Sequence, residues 1–212
     1  MRSVFALLIL AAVGIVPAAA SDRPSGLIRI ATFNCSLNRG SDGALRRDLA
    51  TPGNAQAAAV AEIIQRVRPD ILLLQEFDYD AGGEALRDFQ TNYLARSQNG
   101  SPAISFAHSF FTESNTGQPS GFDLNNDGRV QGGEDALGFG EFPGQYAMAL
   151  LSRFPIDARH ARTFRKFLWR DMPGALLPPG WYSPEELAVL RRHRQSEQHG
   201  RLEPRALGEP TA

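Results

Sequence analysis

Three short stretches carry residue types that can do chemistry together. Asn34 follows the run Ile28-Arg29-Ile30-Ala31-Thr32-Phe33. Gln75 and Glu76 follow Ile71-Leu72-Leu73-Leu74. Both runs are rich in the apolar and β-branched residues of strands. A polar residue just past the end of a strand sits at a sheet rim, where sites are assembled on α/β folds. If the two strands lie side by side, an amide and a carboxylate converge there. A carboxylate suits a hard divalent cation, and Mg²⁺ often takes one or two protein carboxylates with water and phosphate oxygens completing its shell. The amide can donate to a phosphoryl oxygen without adding charge. Asn34 and Glu76 are therefore the candidate catalytic residues of a metal-assisted phosphoester site, with Glu76 the ligand of Mg²⁺ or Mn²⁺. Each also has a plainer reading: Asn34 as a turn residue and Glu76 as a solvated strand-end charge.

A second stretch fits a calcium loop. Asp123-Leu124-Asn125-Asn126-Asp127-Gly128-Arg129-Val130-Gln131-Gly132-Gly133-Glu134 matches the pattern D-x-[DN]-x-[DN]-G-x₅-E. Asp123, Asn125 and Asp127 offer side-chain oxygens at alternate positions, and Gly128 allows the sharp turn. The Arg129 carbonyl can join, and Glu134 can close the shell with a bidentate carboxylate. The flanks, Gly121-Phe122 and Gly138-Phe139-Gly140, do not read as the paired helices of an EF-hand. The expectation is an isolated, structural Ca²⁺ loop within an insertion at about 114–144.

These groups need elements to position them. Residues 27–33 read as a first strand ending at Asn34, and residues 36–53 as a loop. Ala57, Val60, Ile63, Ile64 and Val67 recur at helical spacing, which predicts a helix over 54–68 stopped by Pro69. The continuous apolar run after Asp70 predicts a central strand covered on both faces. Strand, helix, strand opens an α/β layered fold. A second helix is expected over 84–95, a strand within 104–112, and another over 146–152 ended by Pro155. Ser183, Pro184 and Glu186 form a helix-start signal. Arg159, Arg162, Arg165, Lys166 and Arg170 could form a basic strip, but an exposed strand or loop face is the favoured reading.

Composition bounds the rest. A chain of 212 residues with 42% hydrophobic and 21% charged residues is an ordinary globular domain in length and make-up. With 22 basic against 23 acidic residues, a dedicated nucleic-acid binder is disfavoured. Its single cysteine, Cys35, excludes an internal disulfide and a cysteine-rich zinc site. Arg2, the short apolar run over 5–16 and Ala18-Ala19-Ala20 read as a signal peptide cleaved after Ala20. The expected location is therefore periplasmic or secreted, with no membrane span after cleavage and a monomeric state. Residues 21–190 form the expected domain. The Arg191-Arg192-His193-Arg194 cluster opens a polar 191–212 tail, expected to be disordered.

Together with Ala149-Leu150-Leu151-Ser152-Arg153-Phe154-Pro155-Ile156, the strands ending at Asn34 and at Gln75-Glu76 resemble the endonuclease/exonuclease/phosphatase superfamily. The resemblance covers 27–156 well and 157–190 loosely. It implies an α/β (α+β) four-layer sandwich of two β-sheets flanked by helices. It also implies a Mg²⁺-dependent hydrolase of phosphoesters, small-molecule or nucleic-acid. Glu76 takes the role of metal ligand, and Asn34 that of positioning the phosphate. The superfamily's later motifs are not found. None of His108, His160, His193 and His199 follows an Asp, and Asp123-Leu124-Asn125 lacks the preceding apolar strand of a Gly-Asp-x-Asn segment. The chain thus reads as the superfamily domain incomplete at its C-terminus, and its own turnover is expected to be weak. The alternative reading is a catalytically inactive calcium-binding fragment.

Overall fold

The computed structural model describes residues 26–190. The expected signal peptide (1–20) and tail (191–212), including the Arg191–Arg194 cluster, lie outside the described residues. Among the described residues no helix is long and apolar enough to cross a membrane.

Four strands form one mixed sheet: β1 (Ile30–Leu37), β2 (Ile71–Phe77), β3 (His108–Phe111) and β4 (Met148–Ser152), in the order β1-β2-β4-β3. β1 and β2 run parallel, with Ile30 opposite Ile71 and Asn34 opposite Gln75. β4 runs antiparallel to β2 and to β3, with Leu73 opposite Leu150 and Phe110 opposite Leu150. The expected four-layer sandwich is represented here by this one sheet and the helices on one of its faces; a second sheet is not among the described residues.

The parallel β1–β2 pair requires a crossover, supplied by α1 (Ala44–Leu49) and α2 (Ala55–Val67). In α2 the apolar spacing turns Ala57, Val60, Ala61 and Ile64 inward. The Asn54 side chain caps its start by accepting from the Ala57 N–H at 3.0 Å, and Arg68 ends it in the left-handed conformation. Burial of Val60 and Ile64 stabilises the layer by roughly 1.5–3 kcal/mol each. They pack with Cys35, Leu37, Leu72, Leu74, Ala149 and Leu151 from the sheet. Helix α3 (Glu84–Phe89), continued by a π-turn over Gln90–Leu94, closes the core with Leu86, Phe89 and Tyr93.

Several expectations shift. β1 reaches to Leu37, because Cys35 and Leu37 are buried while Ser36 faces out; Asn34 therefore lies inside the strand rather than at its end. The expected loop over 36–53 contains α1, held by the buried pair Leu45 and Leu49. β3 falls within the expected 104–112 stretch, and Ile104 and Phe106 before it enter the core from irregular backbone. β2 is central but covered on one face only; Leu72 and Leu74 are buried, whereas Ile71 and Leu73 are half-buried. On that second face Ile30 is 72% exposed. The basic residues instead follow the favoured reading of a loop face: they lie on irregular backbone and 3₁₀ turns, where Arg159 pairs with Asp157, Arg165 with Glu113 and Arg170 with Asp171. Ser183 and Glu186 do form the capping box that starts α4 (Pro184–Leu187).

Candidate active site

The adjacency of β1 and β2 brings Asn34 and Glu76 to one rim. Asn34 Nδ2 donates to Glu76 Oε1 at 2.7 Å. Asn34 Oδ1 accepts from the Ser36 N–H at 3.1 Å, which fixes the amide with its NH₂ toward the carboxylate. The other carboxylate oxygen is also held: Asn38 Nδ2 donates to Glu76 Oε2 at 3.1 Å. Sequence reasoning missed Asn38, and its only signal was a second amide four residues after Asn34.

Strand periodicity alone would not place Glu76 there. Side chains alternate along a strand, so Glu76 is in phase with buried Leu72 and Leu74. Its φ of 55° breaks that phase. The left-handed residue turns the carboxylate out to the face of Asn34, and the register shifts between Asn34 and Leu37. Ser36, in the shifted segment, is also left-handed, with φ 51°. Its carbonyl is tied down by Gln56 Nε2 of α2 at 2.7 Å.

Asp78 is the second carboxylate near the rim and was not anticipated. It is 5% exposed. Oδ2 accepts from the Arg39 N–H at 2.7 Å and Oδ1 from the Tyr146 N–H at 3.1 Å. Burial pushes its carboxyl up to about 6, against the opposing pull of those two N–H groups. It therefore fastens the loop after β1 and the turn before β4 to the end of β2. Gln145 repeats the tie, donating from Nε2 to the Arg39 carbonyl at 2.7 Å and accepting from the Glu141 N–H at 2.7 Å. Gly144 lets the turn close against the segment after β2: at φ 90°, its carbonyl accepts from the Tyr79 N–H at 2.9 Å, and an added Cβ would lie 3.0 Å from the Tyr79 carbonyl. Tyr146 faces this rim with its phenol pKa raised by burial and by the charges of Glu76, Asp78 and Glu141.

Glu76 is the rim carboxylate within reach of an ion from solvent, being half-buried and held by side-chain amides, whereas Asp78 is buried and held by backbone N–H groups. A single carboxylate flanked by amides fits a hard ion such as Mg²⁺, which keeps several waters and takes its remaining oxygens from a phosphate. Among the described residues no group of three His, Cys, Asp or Glu side chains is gathered for a metal ion. Neither described histidine is at the rim. His108 lies opposite Ser152 at the far end of the sheet, and His160 is exposed beside Asp157.

In the 123–134 loop the side-chain oxygens of Asp123, Asn125 and Asp127 accept from backbone N–H groups of the loop itself. Asp123 accepts from the N–H groups of Asp127 and Gly128, Asn125 from Asp127, and Asp127 from Arg129, at 2.8–3.0 Å. Buried Asp135 staples the loop, accepting from Leu124 and Gln131 at 2.8 Å each. Glu134 sits in a 3₁₀ turn, Gly133–Asp135, rather than on a helix.

The Leu151-Ser152-Arg153-Phe154 motif proves structural. Ser152 Oγ donates to the Phe154 carbonyl at 2.8 Å, and Arg153 pairs with Asp70 at 3.0 Å, at the end of the sheet away from Glu76.

No curated protein and no solved structure matches the chain. The sequence model of the Endonuclease/Exonuclease/phosphatase family matches residues 31–211. That span takes in β2, β3, β4, β1 from its second residue and the rim, and reaches beyond the motifs that carried the resemblance. Members of this family are phosphoester hydrolases and generally use a divalent ion such as Mg²⁺. The chain belongs to the endonuclease/exonuclease/phosphatase family.

Proposed function

We propose that the protein is an exported phosphoester hydrolase whose working rim is Asn34, Asn38 and Glu76. The observation that carries the reading is the clamped carboxylate: both oxygens of Glu76 are held by amides, at 2.7 and 3.1 Å. A carboxylate so held loses little freedom when it takes up an ion. Bound there, Mg²⁺ would polarise the phosphoryl oxygen and acidify a water. Glu76 supplies the ligand oxygen. The amides of Asn34 and Asn38 set its orientation, and Asn34 is the nearer neutral donor for a phosphoryl oxygen. With no histidine at the rim among the described residues, water attack lacks a positioned imidazole base, a group that typically contributes 10²–10⁴-fold. The expected turnover is therefore slow.

The test is hydrolysis of bis-p-nitrophenyl phosphate and p-nitrophenyl phosphate by the purified chain. It is run with Mg²⁺ or Mn²⁺, with a chelator, and with Glu76→Gln, alongside calorimetric metal titration. Chelator-sensitive turnover that Glu76→Gln abolishes is the expected result. Turnover indifferent to both, or no turnover and no metal uptake, would sink the reading. The contrast between diester and monoester rates decides the substrate subclass.

The alternative reading is a calcium-binding chain without turnover, and the succession of side-chain acceptors around Gly128 favours keeping it. Asp123, Asn125, Asp127, the Arg129 carbonyl and Glu134 would hold Ca²⁺. Calorimetric Ca²⁺ titration of the wild type against Asp127→Ala tests it, and identical heats would remove the claim.

A further inference from the structure

Among the described residues six other than glycine have positive φ: Ser36, Arg68, Glu76, Asn99, Asn126 and Tyr146. Arg68 ends α2, where left-handed backbone is the usual helix stop. Asn99 and Asn126 are of the residue type that tolerates this conformation. The other three cluster. Ser36 and Glu76 lie near the C-terminal ends of β1 and β2, and Tyr146 lies two residues before the start of β4, whose first residue, Met148, is opposite Gln75. All three are therefore at the rim that holds Asn34.

An aromatic residue is a costly choice at φ 56°; glycine would sit there without strain. The fold nonetheless holds Tyr146 in place from both sides. Asp78 accepts its N–H, and buried Gln145 anchors the preceding residue. The ring packs on Phe139 with centroids 6.0 Å apart. That contact accounts for the ring but not for the hydroxyl. Among the described residues the phenol oxygen has no hydrogen-bond partner, and the side chain is only half-buried. Strain of this kind persists where surrounding structure over-determines it, and it concentrates at functional sites.

We propose that Tyr146 is a substrate-contacting residue of this rim, its phenol donating a hydrogen bond to a non-bridging oxygen of the phosphoester held at Glu76. This rests on the phosphoester reading given above and adds a residue from the turn before β4 to the site. Tyr146 would contribute binding and orientation of the anion, and no proton is transferred.

The experiment compares wild type with Tyr146→Phe, which keeps the ring and its contact with Phe139 and deletes one oxygen. Inorganic phosphate in the presence of Mg²⁺ is titrated by calorimetry. The loss of one hydrogen bond to a charged acceptor should weaken phosphate binding about tenfold, while Tm moves by no more than about 2 °C. In the wild type labelled with ¹³Cζ-tyrosine, the Tyr146 resonance should shift on phosphate addition; it is the peak that remains unassigned once Tyr79→Phe, Tyr93→Phe and Tyr182→Phe have identified the other three, so this readout does not depend on the folding of Tyr146→Phe. Equal phosphate affinity in the two proteins, a Tyr146 resonance unmoved by phosphate, or no phosphate binding by the wild type overturns the proposal. Absent hydrolysis with phosphate binding and its Tyr146 dependence intact would instead sink the hydrolase reading alone.

Discussion

The amide of Asn38 offers the sharpest test of how the rim works, because it touches Glu76 and can be removed without disturbing the strands. In Asn38→Ala, the carboxylate loses its donor at 3.1 Å and keeps the Asn34 donor at 2.7 Å. A hydrogen bond to a charged acceptor nets about 1.5–3 kcal/mol. Glu76 is half-buried, so water competes for that oxygen and the lower end applies, about 1.5 kcal/mol. That energy corresponds to about tenfold in an equilibrium constant. It matches the lower bound of the roughly 10- to 100-fold penalty for losing a partner behind a metal ligand. The Mg²⁺ concentration giving half-maximal turnover should therefore rise about tenfold, and turnover at saturating Mg²⁺ should stay within about threefold of wild type. The Asn38 carbonyl, which accepts from Arg39 Nη1 at 2.8 Å, survives the change, so thermal stability should hardly move. The assay is a Mg²⁺ titration of diester hydrolysis with a parallel unfolding scan. An unchanged half-saturation point, or a fall in saturated turnover alone, would refute the idea that the amide acts by aiming the carboxylate.

Further perturbations test the supports of the rim. Asp78 has a folded-state carboxyl at about 6 against an ordinary 3.8, so the native state takes up its proton more readily than the unfolded chain. Its contribution is fully present below pH 4 and is lost as pH rises through 6; the stability advantage of wild type over Asp78→Ala should grow by about 1.4 kcal/mol from pH 8 to pH 5 in urea unfolding, and a pH-independent gap would contradict it. Burial pushes the Cys35 thiol up to about 11, so at pH 8 its thiolate population is about a hundredfold below that of a thiol at 9.0. Iodoacetamide should label the native protein at least about a hundredfold more slowly than the urea-unfolded one, and comparable rates would place the thiol in solvent. At Gly117, φ is 68° and an added Cβ would lie 1.7 Å from the Phe142 carbonyl, a backbone clash. Gly117→Ala should cost about 3 kcal/mol or more, whereas Gly128→Ala, with nothing within 4 Å, should cost about 1–2 kcal/mol; equal unfolding midpoints for the two would be the wrong outcome.

The elements that could be read from sequence were those whose signal is local. The apolar spacing of Val60 and Ile64, with Asn54 before it, specifies α2, and Ser183 with Glu186 specifies the start of α4. α1 is too short for periodicity to show: its only inward residues are Leu45 and Leu49, one pair four apart amid arginines. The exposed alternation Thr32, Asn34, Ser36 reads as the fading of a strand when only polarity is seen, although Cys35 and Leu37 continue it on the buried face. The pairing of Asn34 with Glu76 was legible as an adjacency of parallel strands. How it is achieved was not, because strict alternation puts Glu76 on the core side with Leu72 and Leu74. A positive φ at a glutamate has no signature in residue type. Asn38 and Asp78 stayed hidden for a related reason: their roles depend on which strand ends the bulge brings within reach.

The rim is thus built by opposing two tendencies of the chain and anchoring the result. Left-handed backbone costs an L-residue roughly 1–2 kcal/mol, and the strand ends spend it at Ser36, Glu76 and Tyr146. Each of the three is held by a side chain from a different element: Gln56 of α2 on the Ser36 carbonyl, Asn34 of β1 on the Glu76 carboxylate, and Asp78 beyond β2 on the Tyr146 N–H. At the other end of β2, Asp70 accepts from the Arg29 N–H at 2.8 Å and pairs with Arg153 at 3.0 Å. The central strand is therefore fixed at both ends while only one end carries unusual backbone. That division explains why two of the three resembling motifs lead to the candidate site, whereas the third, around Ser152 and Arg153, secures the frame against which the strained end is held.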